Sequence, residues 1–418
     1  MKQLLTIIFA FLVLTPVIKS QDKSQPAVSV QFTGFVKNDF YWDTRQVVAI
    51  RNNQFLLYPA NEKIDKDGND VFARASFGFV AIQTRLAAKI TGPDALGAKT
   101  SAYIEGEFFG MSENDINGFR LRHAYIKLDW TKSMLMMGQY WHPMFNVNCF
   151  PETVSFNTGA PFVPFTRNPQ IRYRYTVAGV SFQATAYSQI DFMDNGPLLP
   201  SSIYLRNSAI PGLNALIEYS KKNAEKQQEI LFAISGNYKT LVPQLITDSG
   251  YQTKEKASAL TMNACFKYKT RNFTFKAGAT LGESLYDFTM LGGYGKKDSI
   301  DLKKGIVSYT PLGVWSAWTD IMTNGKKLSG GLYAAYSGNM GYADPVTVAG
   351  FYGRGNDIKY LYRISPRLIY EVGKVRIAPE IEYTVAAYGK PDLANQGKVK
   401  DEKELGNIRF LVGVYYFF

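Results

Sequence analysis

The end of the chain shows the pattern that constrains the fold most strongly. From residue 408 to residue 418, apolar side chains occupy every second position, and the last of them is Phe418. A period of two residues indicates a β-strand with one apolar face. The same alternation recurs at 84–90, 171–177, 358–372 and 375–385. Because an unpaired aromatic strand at the end of a chain promotes aggregation, the pattern predicts a closed sheet in which this strand is paired on both sides.

The composition supports a chain of strands and excludes several classes of protein. Aromatic residues make up 14% of the 418 residues, with 28 Phe, 27 Tyr and 35 Gly, whereas His and Cys number two each. Two cysteines are too few for a disulfide-rich scaffold or a Cys-rich metal site, and two histidines leave little for acid–base chemistry. We therefore expect no enzyme activity, no metal and no cofactor. The formal net charge of +12 is spread over the chain rather than clustered, which argues against nucleic acid as a partner.

The first twenty residues predict export. The segment MKQLLTIIFAFLVLTPVIKS has a basic start, an apolar centre and a small residue, Ser20, at its end. This is the pattern of a secretory signal peptide. An anchoring helix is the alternative, but the apolar stretch is short for a span of about 20 residues. We expect cleavage after Ser20 and a single barrel domain over residues 21–418.

Sixteen alternating segments predict a transmembrane antiparallel β-barrel in the outer membrane of a Gram-negative bacterium, with 18 strands as the alternative count. Short connections alternate with long ones, as in bacterial outer-membrane barrels, and aromatic side chains near the strand ends would contact outer-membrane lipid. A soluble barrel is the alternative. Tyr416 and Phe418 resemble the signal recognised by the outer-membrane barrel assembly machinery. The predicted strands are 28–41, 72–90, 99–109, 118–130, 133–141, 169–177, 179–190, 212–221, 228–240, 256–269, 272–283, 305–319, 328–338, 357–372, 374–388 and 407–418.

Residues 142–168 predict a loop that folds into the barrel. The segment HPMFNVNCFPETVSFNTGAPFVPFTRN contains five Phe, four Pro and only two charged residues, Glu152 and Arg167. A loop of that apolarity is unusual on a cell surface. The preceding strand is apolar on both faces, as if its lumen face were covered. We therefore predict a constriction loop, and an ordinary surface loop or a contact between subunits is the alternative.

Strand parity predicts which charged side chains face the lumen. Sixteen strands enclose a lumen too wide to be filled by wall side chains, so we expect an aqueous channel. Converging arginines would favour anions, although such charges could also simply pair with one another on a solvated face. Parity is broken at 119–130, which predicts a β-bulge near Arg122 or a position at the rim. The predicted pore-lining residues are Arg85, Arg120, Arg122, Lys127, Arg172, Arg174, Arg363, Arg376, Glu380, Glu382 and Arg409.

Several short stretches carry a resemblance to a known family. FTGFVKNDFYWDTRQ at 32–46, FRLRHAYIKLDW at 119–130 with MMGQYWHPMF at 136–145, RNPQIRYRY at 167–175 and EIEYTVAAYG at 380–389 resemble the DcaP-type porins in order and spacing. The resemblance implies a sixteen-stranded homotrimeric channel for small anionic solutes such as dicarboxylates. Arg120, Arg122, Arg172 and Arg174 are the matching arginines. The chain departs from the family because no coiled-coil extension precedes its first strand, so a trimer would depend on barrel contacts.

The function predicted from the sequence is passive diffusion of small anionic solutes through an outer-membrane porin. Two alternatives stay open, a barrel that acts in surface interaction or secretion assembly, and an export channel for an acidic polysaccharide. Cys149 in the predicted constriction loop and Cys265 on a lumen-facing position could form a disulfide in an oxidising compartment. The segment 65–70 resembles the opening of a calcium loop but lacks a suitable terminal Glu, so we expect a plain turn.

Overall fold

The chain forms a closed antiparallel β-barrel in a computed structural model that describes residues 28–348 and 350–418. The predicted signal peptide lies outside the described residues. Strands β1 to β21 are Ser29–Asp43, Val47–Ile50, Phe55–Pro59, Ser76–Val80, Arg85–Thr91, Lys99–Glu107, Arg120–Asp129, Ser133–Trp141, Arg167–Val177, Val180–Tyr187, Gly212–Asn223, Gln228–Leu241, Ala257–Lys269, Phe273–Glu283, Gly292–Asp301, Ile306–Thr323, Leu328–Tyr342, Phe351–Arg354, Ile358–Val372, Val375–Asp392 and Lys398–Phe417. Helical elements are short, with an α-helix at Ile203–Asn207 and 3₁₀ turns at Glu113–Asp115, Tyr286–Phe288 and Leu393–Asn395. No helix in the described ranges is long and apolar enough to cross a membrane.

Sixteen strand positions make up the wall of the barrel. β4 and β5 share one position, because both pair with β1 and only residues 81–84 separate them. The wall closes where β1 pairs with β21, from Phe35 opposite Phe417 to Asp43 opposite Arg409. Reciprocal backbone hydrogen bonds of 3.2 and 3.1 Å between Gly34 and Phe418 complete this closure. The predicted sixteen-stranded barrel is confirmed, and its C-terminal strand is paired on both sides.

The connections between strands alternate in length around the barrel. Tight turns join β7 to β8, β9 to β10, β13 to β14 and β19 to β20, whereas 44–75, 142–166, 188–211 and 284–305 are long. Between β9 and β10, Ala178 and Gly179 have φ of 49° and 81°. Two consecutive residues with positive φ are typical of a type I′ hairpin turn. The start of β1 and the end of β21 also lie on the side of the barrel that carries the tight turns, as predicted.

The observed strands differ from the predicted ones where pairing with neighbouring strands, rather than alternation of apolar residues, determines which residues are extended. The predicted strand 72–90 is divided into β4 and β5, and the predicted loops 42–71 and 284–304 contain β2, β3 and β15. Gly292–Asp301 is polar and rich in glycine, so alternation did not reveal it, and pairing with β16 and β18 holds it extended. β21 begins at Lys398 rather than at 407, because its pairing with β20 continues as far as Asp392.

The outside of the wall carries an apolar belt. Side chains of the outward parity are large and exposed, whereas the inward parity is buried and mainly polar. A soluble barrel would have the reverse arrangement, so the belt is the lipid-facing surface of a membrane barrel. The belt includes Phe32, Phe77, Phe79, Leu86, Ile104, Ile126, Ile171, Phe182, Leu213, Ile217, Phe232, Leu260, Leu281, Ile321, Leu332, Leu368, Ile381 and Phe410.

Candidate functional site

The connection between β8 and β9, residues 142–166, folds into the lumen and is called the inward loop here. Asn146 Nδ2 donates to Glu218 of β11 at 2.7 Å. Farther along the loop, Asn157 Nδ2 donates to Glu382 of β20 at 2.8 Å. Because β11 and β20 are well separated around the wall, the loop crosses the lumen. The prediction that this loop is directed inward is confirmed.

Aromatic side chains form a buried cluster inside the barrel. Phe55 of β3 packs on Phe156 and Phe165 of the inward loop, with ring centroids 5.5 and 5.1 Å apart. Phe109 stacks on Phe156 at 4.3 Å. None of these four rings is more than 3% exposed. Since full burial of a phenylalanine side chain contributes about 1.5–3 kcal/mol, burial of these rings stabilises the inward loop in its position inside the lumen.

The end of β8 packs against the same loop. Trp141 stacks on Phe145 at 4.1 Å and meets Phe165 edge-on at 4.9 Å. Met136 on the same strand is 3% exposed. At Trp141 the inward loop therefore covers the lumen side of this strand, as the apolar character of both of its faces predicted.

A β-bulge in β7 directs Arg120 and Arg122 into the lumen. The pairing of β6 with β7 shifts register between Glu105 and Gly106, which leaves Arg122 as the extra residue. Arg120 and Arg122 are 6% and 2% exposed, whereas Leu121 between them is 50% exposed. The bulge predicted from the broken parity is present, and it re-aims the side chains that follow it.

One charged network lies on this wall. Glu107 is at its centre, with carboxylate oxygens 3.1 Å from Arg85, 2.9 Å from Arg120 and 2.6 Å from Arg122. Charge-assisted hydrogen bonds of this kind fix the guanidinium groups in place. Four arginines face three carboxylates, which leaves one formal positive charge. The network, called the arginine cluster here, consists of Arg85, Arg120, Arg122, Arg167, Glu105, Glu107 and Asp191.

Arg363 and Arg409 lie on the predicted inward parity but are covered by the segments that enter the barrel. Arg363 donates to the carbonyl oxygen of Leu57 at 2.8 Å and to that of Ala160 at 2.9 Å. Arg409 forms a bidentate pair with Asp43 at 2.9 and 2.7 Å. Both arginines are 1% exposed. They hold the inward segments against the wall and present little charge to open space.

Glu380 and Glu382 have the same anchoring role. Glu380 accepts a hydrogen bond from the backbone amide of Ser155 at 2.9 Å. Glu382 accepts from Asn157 and lies 3.4 Å from Arg363. Removing one partner of such a buried pair leaves an uncompensated charge, so these carboxylates fix the position of the inward loop.

The remaining predicted arginines and lysine lie in three different settings. Arg172 and Arg174 donate to glutamine side chains of β9 and β10, at 2.7 and 3.1 Å. Within the described part of the chain, neither has a carboxylate within 4.0 Å. Lys127 pairs with Asp129 at 2.9 Å next to the tight turn after β7, with 36% of its side chain exposed. Arg376 pairs with Glu371 and borders open space.

Glu152 on the inward loop and the two C-terminal aromatic side chains complete the set of residues named from the sequence. Glu152 of the inward loop pairs with Lys276 of β14. Burial opposes ionisation of this carboxyl, but the Lys276 ammonium outweighs it and lowers the pKa of Glu152. Tyr416 and Phe418 are 53% and 49% exposed at the end of the closing strand.

A first cavity of about 470 Å³ lies between the arginine cluster and the inward loop. Arg85, Arg122 and Glu105 border it on one side, with Tyr103 and Tyr125 next to them. Phe35 and Phe417, near the tight-turn end of the wall, also border it. The cavity therefore lies on the tight-turn side of the inward loop.

A second cavity of about 470 Å³ lies beside the first. Lys326 and Lys327 of the turn between β16 and β17 border it, together with Glu371. Arg376 borders both cavities and pairs with Glu371 at 2.5 Å, with 35% of its side chain exposed. Of the predicted pore-lining residues, Arg85, Arg122 and Arg376 therefore border the first cavity, whereas Arg172 and Arg174 border a small space of about 20 Å³ beside Glu218.

Sequence reasoning missed a second buried network. Lys239 of β12 donates to Asp194 at 2.7 Å and to Asp287 at 2.6 Å, and all three side chains are at most 1% exposed. Burial, and then the Asp194 carboxylate, raise the pKa of Asp287 to about 7. The two aspartates lie in long loops without periodicity, so no pattern indicated them. By contrast, Lys37 and Asp43 share one parity of β1, and that parity could have identified them as lumen residues.

The sixteen-stranded wall, the apolar belt and the inward loop define a porin-type outer-membrane barrel. The channel DcaP of Acinetobacter baumannii is similar to this chain over 96% of it and 99% of the DcaP chain, with a TM-score of 0.65 and 17% identity. OmpT, an outer membrane protein of Vibrio cholerae solved in a trimer form, is similar over 94% and 100%, with a TM-score of 0.55 and 10% identity. Salmonella typhi OmpF is similar over 93% of this chain and 97% of the OmpF chain, with a TM-score of 0.50 and 12% identity. No protein-family model and no curated protein matches the chain.

At these identities the similarity shows the fold. It confirms that the resemblance to DcaP-type porins, found in short stretches of sequence, extends to the whole barrel. The fold and the lipid-facing belt together are those of a Gram-negative outer-membrane protein, as predicted.

Proposed function

We propose that this chain is an outer-membrane diffusion channel that favours small anionic solutes. The observation that carries the proposal is the first cavity. The charged side chains on the border of this cavity are three arginines, Arg85, Arg122 and Arg376, and one carboxylate, Glu105. The arginine cluster carries one formal positive charge beyond its carboxylates, and a net positive charge beside an open space raises the local concentration of anions over that of cations.

The geometry supports this selectivity in a second way. Glu105 and Glu107 hold Arg85 and Arg122 by ion pairs of 2.6 to 3.6 Å. The guanidinium groups therefore keep their positions when a solute arrives, and no reorganisation is needed. The cavity volume of about 470 Å³ is in the range of about 300–1,000 Å³ that suits small molecules, which favours small acids over a polysaccharide.

The proposal also includes the route by which the chain reaches the membrane. Residues 1–20 would be removed as a signal peptide, and residues 21–418 would be inserted by the barrel assembly machinery with Tyr416 and Phe418 as the recognised end. We propose a homotrimer whose subunits meet through part of the apolar belt. Phe77 and Phe79, exposed by 72% and 69% on the short β4 segment, are candidates for that contact.

Planar-bilayer recording of the purified, refolded protein tests the proposal. We expect a steady conductance and, in a gradient of potassium chloride, a reversal potential whose sign shows preference for chloride. Absence of conductance from correctly folded protein would contradict the channel itself. A reversal potential that shows preference for potassium would contradict only the anion preference.

A second candidate function is favoured by the buried aromatic cluster. Phe55, Phe109, Phe156 and Phe165 occupy part of the lumen, as in a barrel that serves surface interaction and conducts little. The same bilayer recording separates the two candidates. A channel gives open-state current with the wild-type chain, whereas a filled barrel should conduct only after the inward loop is shortened.

A further inference from the structure

We propose that Cys149 and Cys265 form a disulfide that ties the inward loop to the barrel wall. Both thiols are free in this structure. The proposal concerns how the loop is held, so it goes beyond the passage of solutes. Only the oxidising compartment depends on the proposed outer-membrane location, and the geometry stands without it.

The two thiols meet at one place in the lumen. Cys149 Sγ donates to the carbonyl oxygen of Phe266, the residue after Cys265, at 3.2 Å. Phe266 directly follows Cys265 in β13, so this contact places the Cys149 thiol beside the backbone that carries Cys265. The two cysteines are 2% and 6% exposed and belong to one apolar cluster. Two cysteines that are 116 positions apart in the sequence are therefore neighbours in the folded chain.

The wall around Cys265 leaves room for the loop. Cys265 lies opposite Ala233 of β12 on one side and opposite Gly278 of β14 on the other. Small residues flank the thiol in the pairing direction, and the Trp318 ring covers the position where a side chain at Gly278 would lie. The wall strands therefore place only small residues directly opposite Cys265, which lies next to the Cys149 turn of the inward loop.

The inward loop is clamped on both sides of Cys149. Three residues before it, Asn146 binds Glu218 of β11 at 2.7 Å. One residue after it, the carbonyl oxygen of Phe150 accepts from Lys276 of β14 at 3.1 Å. β13, which carries Cys265, lies between these two strands in the wall. The clamps thus hold the Cys149 thiol over its partner, which lowers the entropic cost of forming the bond.

The chemistry is a thiol–disulfide exchange with an external disulfide as the oxidant. One cysteine thiolate attacks a sulfur of the oxidant, and the other sulfur of the oxidant leaves as a thiolate. The second cysteine then attacks the mixed disulfide and releases the remaining half. Two thiols and one disulfide become one protein disulfide and two small thiols, with two electrons transferred to the oxidant and two protons released to the medium or to those thiols.

A buried cysteine pair can also be an inert hydrophobic filler, so the experiment must separate the two roles. The protein is refolded with oxidised and reduced glutathione, its free thiols are blocked with N-ethylmaleimide, and it is then digested with trypsin. The expected product joins peptide 133–167 to peptide 257–267, with a mass lower than their sum by two hydrogen atoms. A reductant should abolish this product.

Single variants supply the controls. Cys149→Ser and Cys265→Ser should each lose the joined peptide and carry one blocked thiol, and Cys→Ala versions replace either variant that fails to fold. Folding is checked by the heat-dependent mobility of the barrel in gel electrophoresis. Two blocked thiols, or glutathione adducts only, in folded wild-type protein would overturn the proposal. The measurement is a mass, so it is independent of whether the barrel conducts.

Discussion

Arg376 offers the sharpest test of the proposed anion preference. It borders both cavities, and its pairing with Glu371 involves two partly exposed side chains, with exposures of 35% and 42%. Replacing it should therefore change the charge of the lumen with little effect on folding. We expect Arg376→Gln to lower the ratio of chloride to potassium permeability.

The size of the effect follows from the cavity. A volume of about 470 Å³ corresponds to a sphere with a radius of about 5 Å, so a bordering charge acts on an ion at about that distance. In water this interaction is about 0.8 kcal/mol, and screening at 0.1 M salt reduces it to about 0.5 kcal/mol. The anion loses this amount and the cation gains it, so the permeability ratio should fall about fivefold. At 1 M salt, where the screening length is about 3 Å, the fall should be less than twofold.

The assay is the reversal potential in a salt gradient, measured at two mean salt concentrations. Arg271→Gln is the matched control, because Arg271 is exposed on the tight turn between β13 and β14 and borders neither cavity. The double variant Arg376→Gln with Glu371→Gln leaves the net charge unchanged and should restore most of the wild-type ratio. An unchanged ratio in Arg376→Gln, or an equal fall in Arg271→Gln, would refute the reasoning that the cavity border sets selectivity.

Three further predictions concern the buried networks. Glu107→Ala should lower the free energy of unfolding by about 3–5 kcal/mol, because it leaves buried arginines unpaired. The control Glu62→Ala, at an exposed ion pair, should change it by less than about 1 kcal/mol. Urea unfolding measures both free energies, and equal effects of the two substitutions would contradict the argument. Lys239→Met should cost a similar amount, because it leaves the Asp194 and Asp287 carboxylates facing each other without a cation, and an unchanged urea midpoint would refute this. Because the pKa of Asp287 is raised to about 7 from its ordinary 3.8, the stabilisation from this carboxyl is present below about pH 4 and is lost as the pH rises through 7. Asp287→Asn should remove that part of the pH dependence of unfolding. The same pH profile in the variant and the wild type would contradict this prediction.

Much of the fold could be predicted from the sequence because lipid imposes one rule on every wall strand. A strand with one face in lipid must be apolar at every second residue, and this marks strands such as β21 directly. A departure from this alternation is also informative, because the parity of 119–130 breaks near Arg122, where β7 has its bulge. The five phenylalanines of 142–168 likewise indicated an inward position, because such a loop needs an apolar partner.

The partners across the lumen could not be predicted in this way. Arg409 was placed on the inward parity, but its partner Asp43 is 366 positions away and becomes adjacent only when β1 closes on β21. Lys239, Asp194 and Asp287 come together from one strand and two irregular loops. For these groups the sequence contains no period, because no single surface of one element determines where they point.

The amino-acid sequence by itself therefore determined that this chain forms a closed barrel with a lipid-facing exterior, an inward loop and charged residues on the inner face. Tertiary structure alone decided which of those charges are free to act on a solute. Arg363 and Arg409 are covered by inward segments, whereas Arg85, Arg122 and Arg376 border the first cavity. The reason is physical, because facing inward depends on local backbone parity, whereas contact with water in the lumen depends on what other parts of the chain fill it.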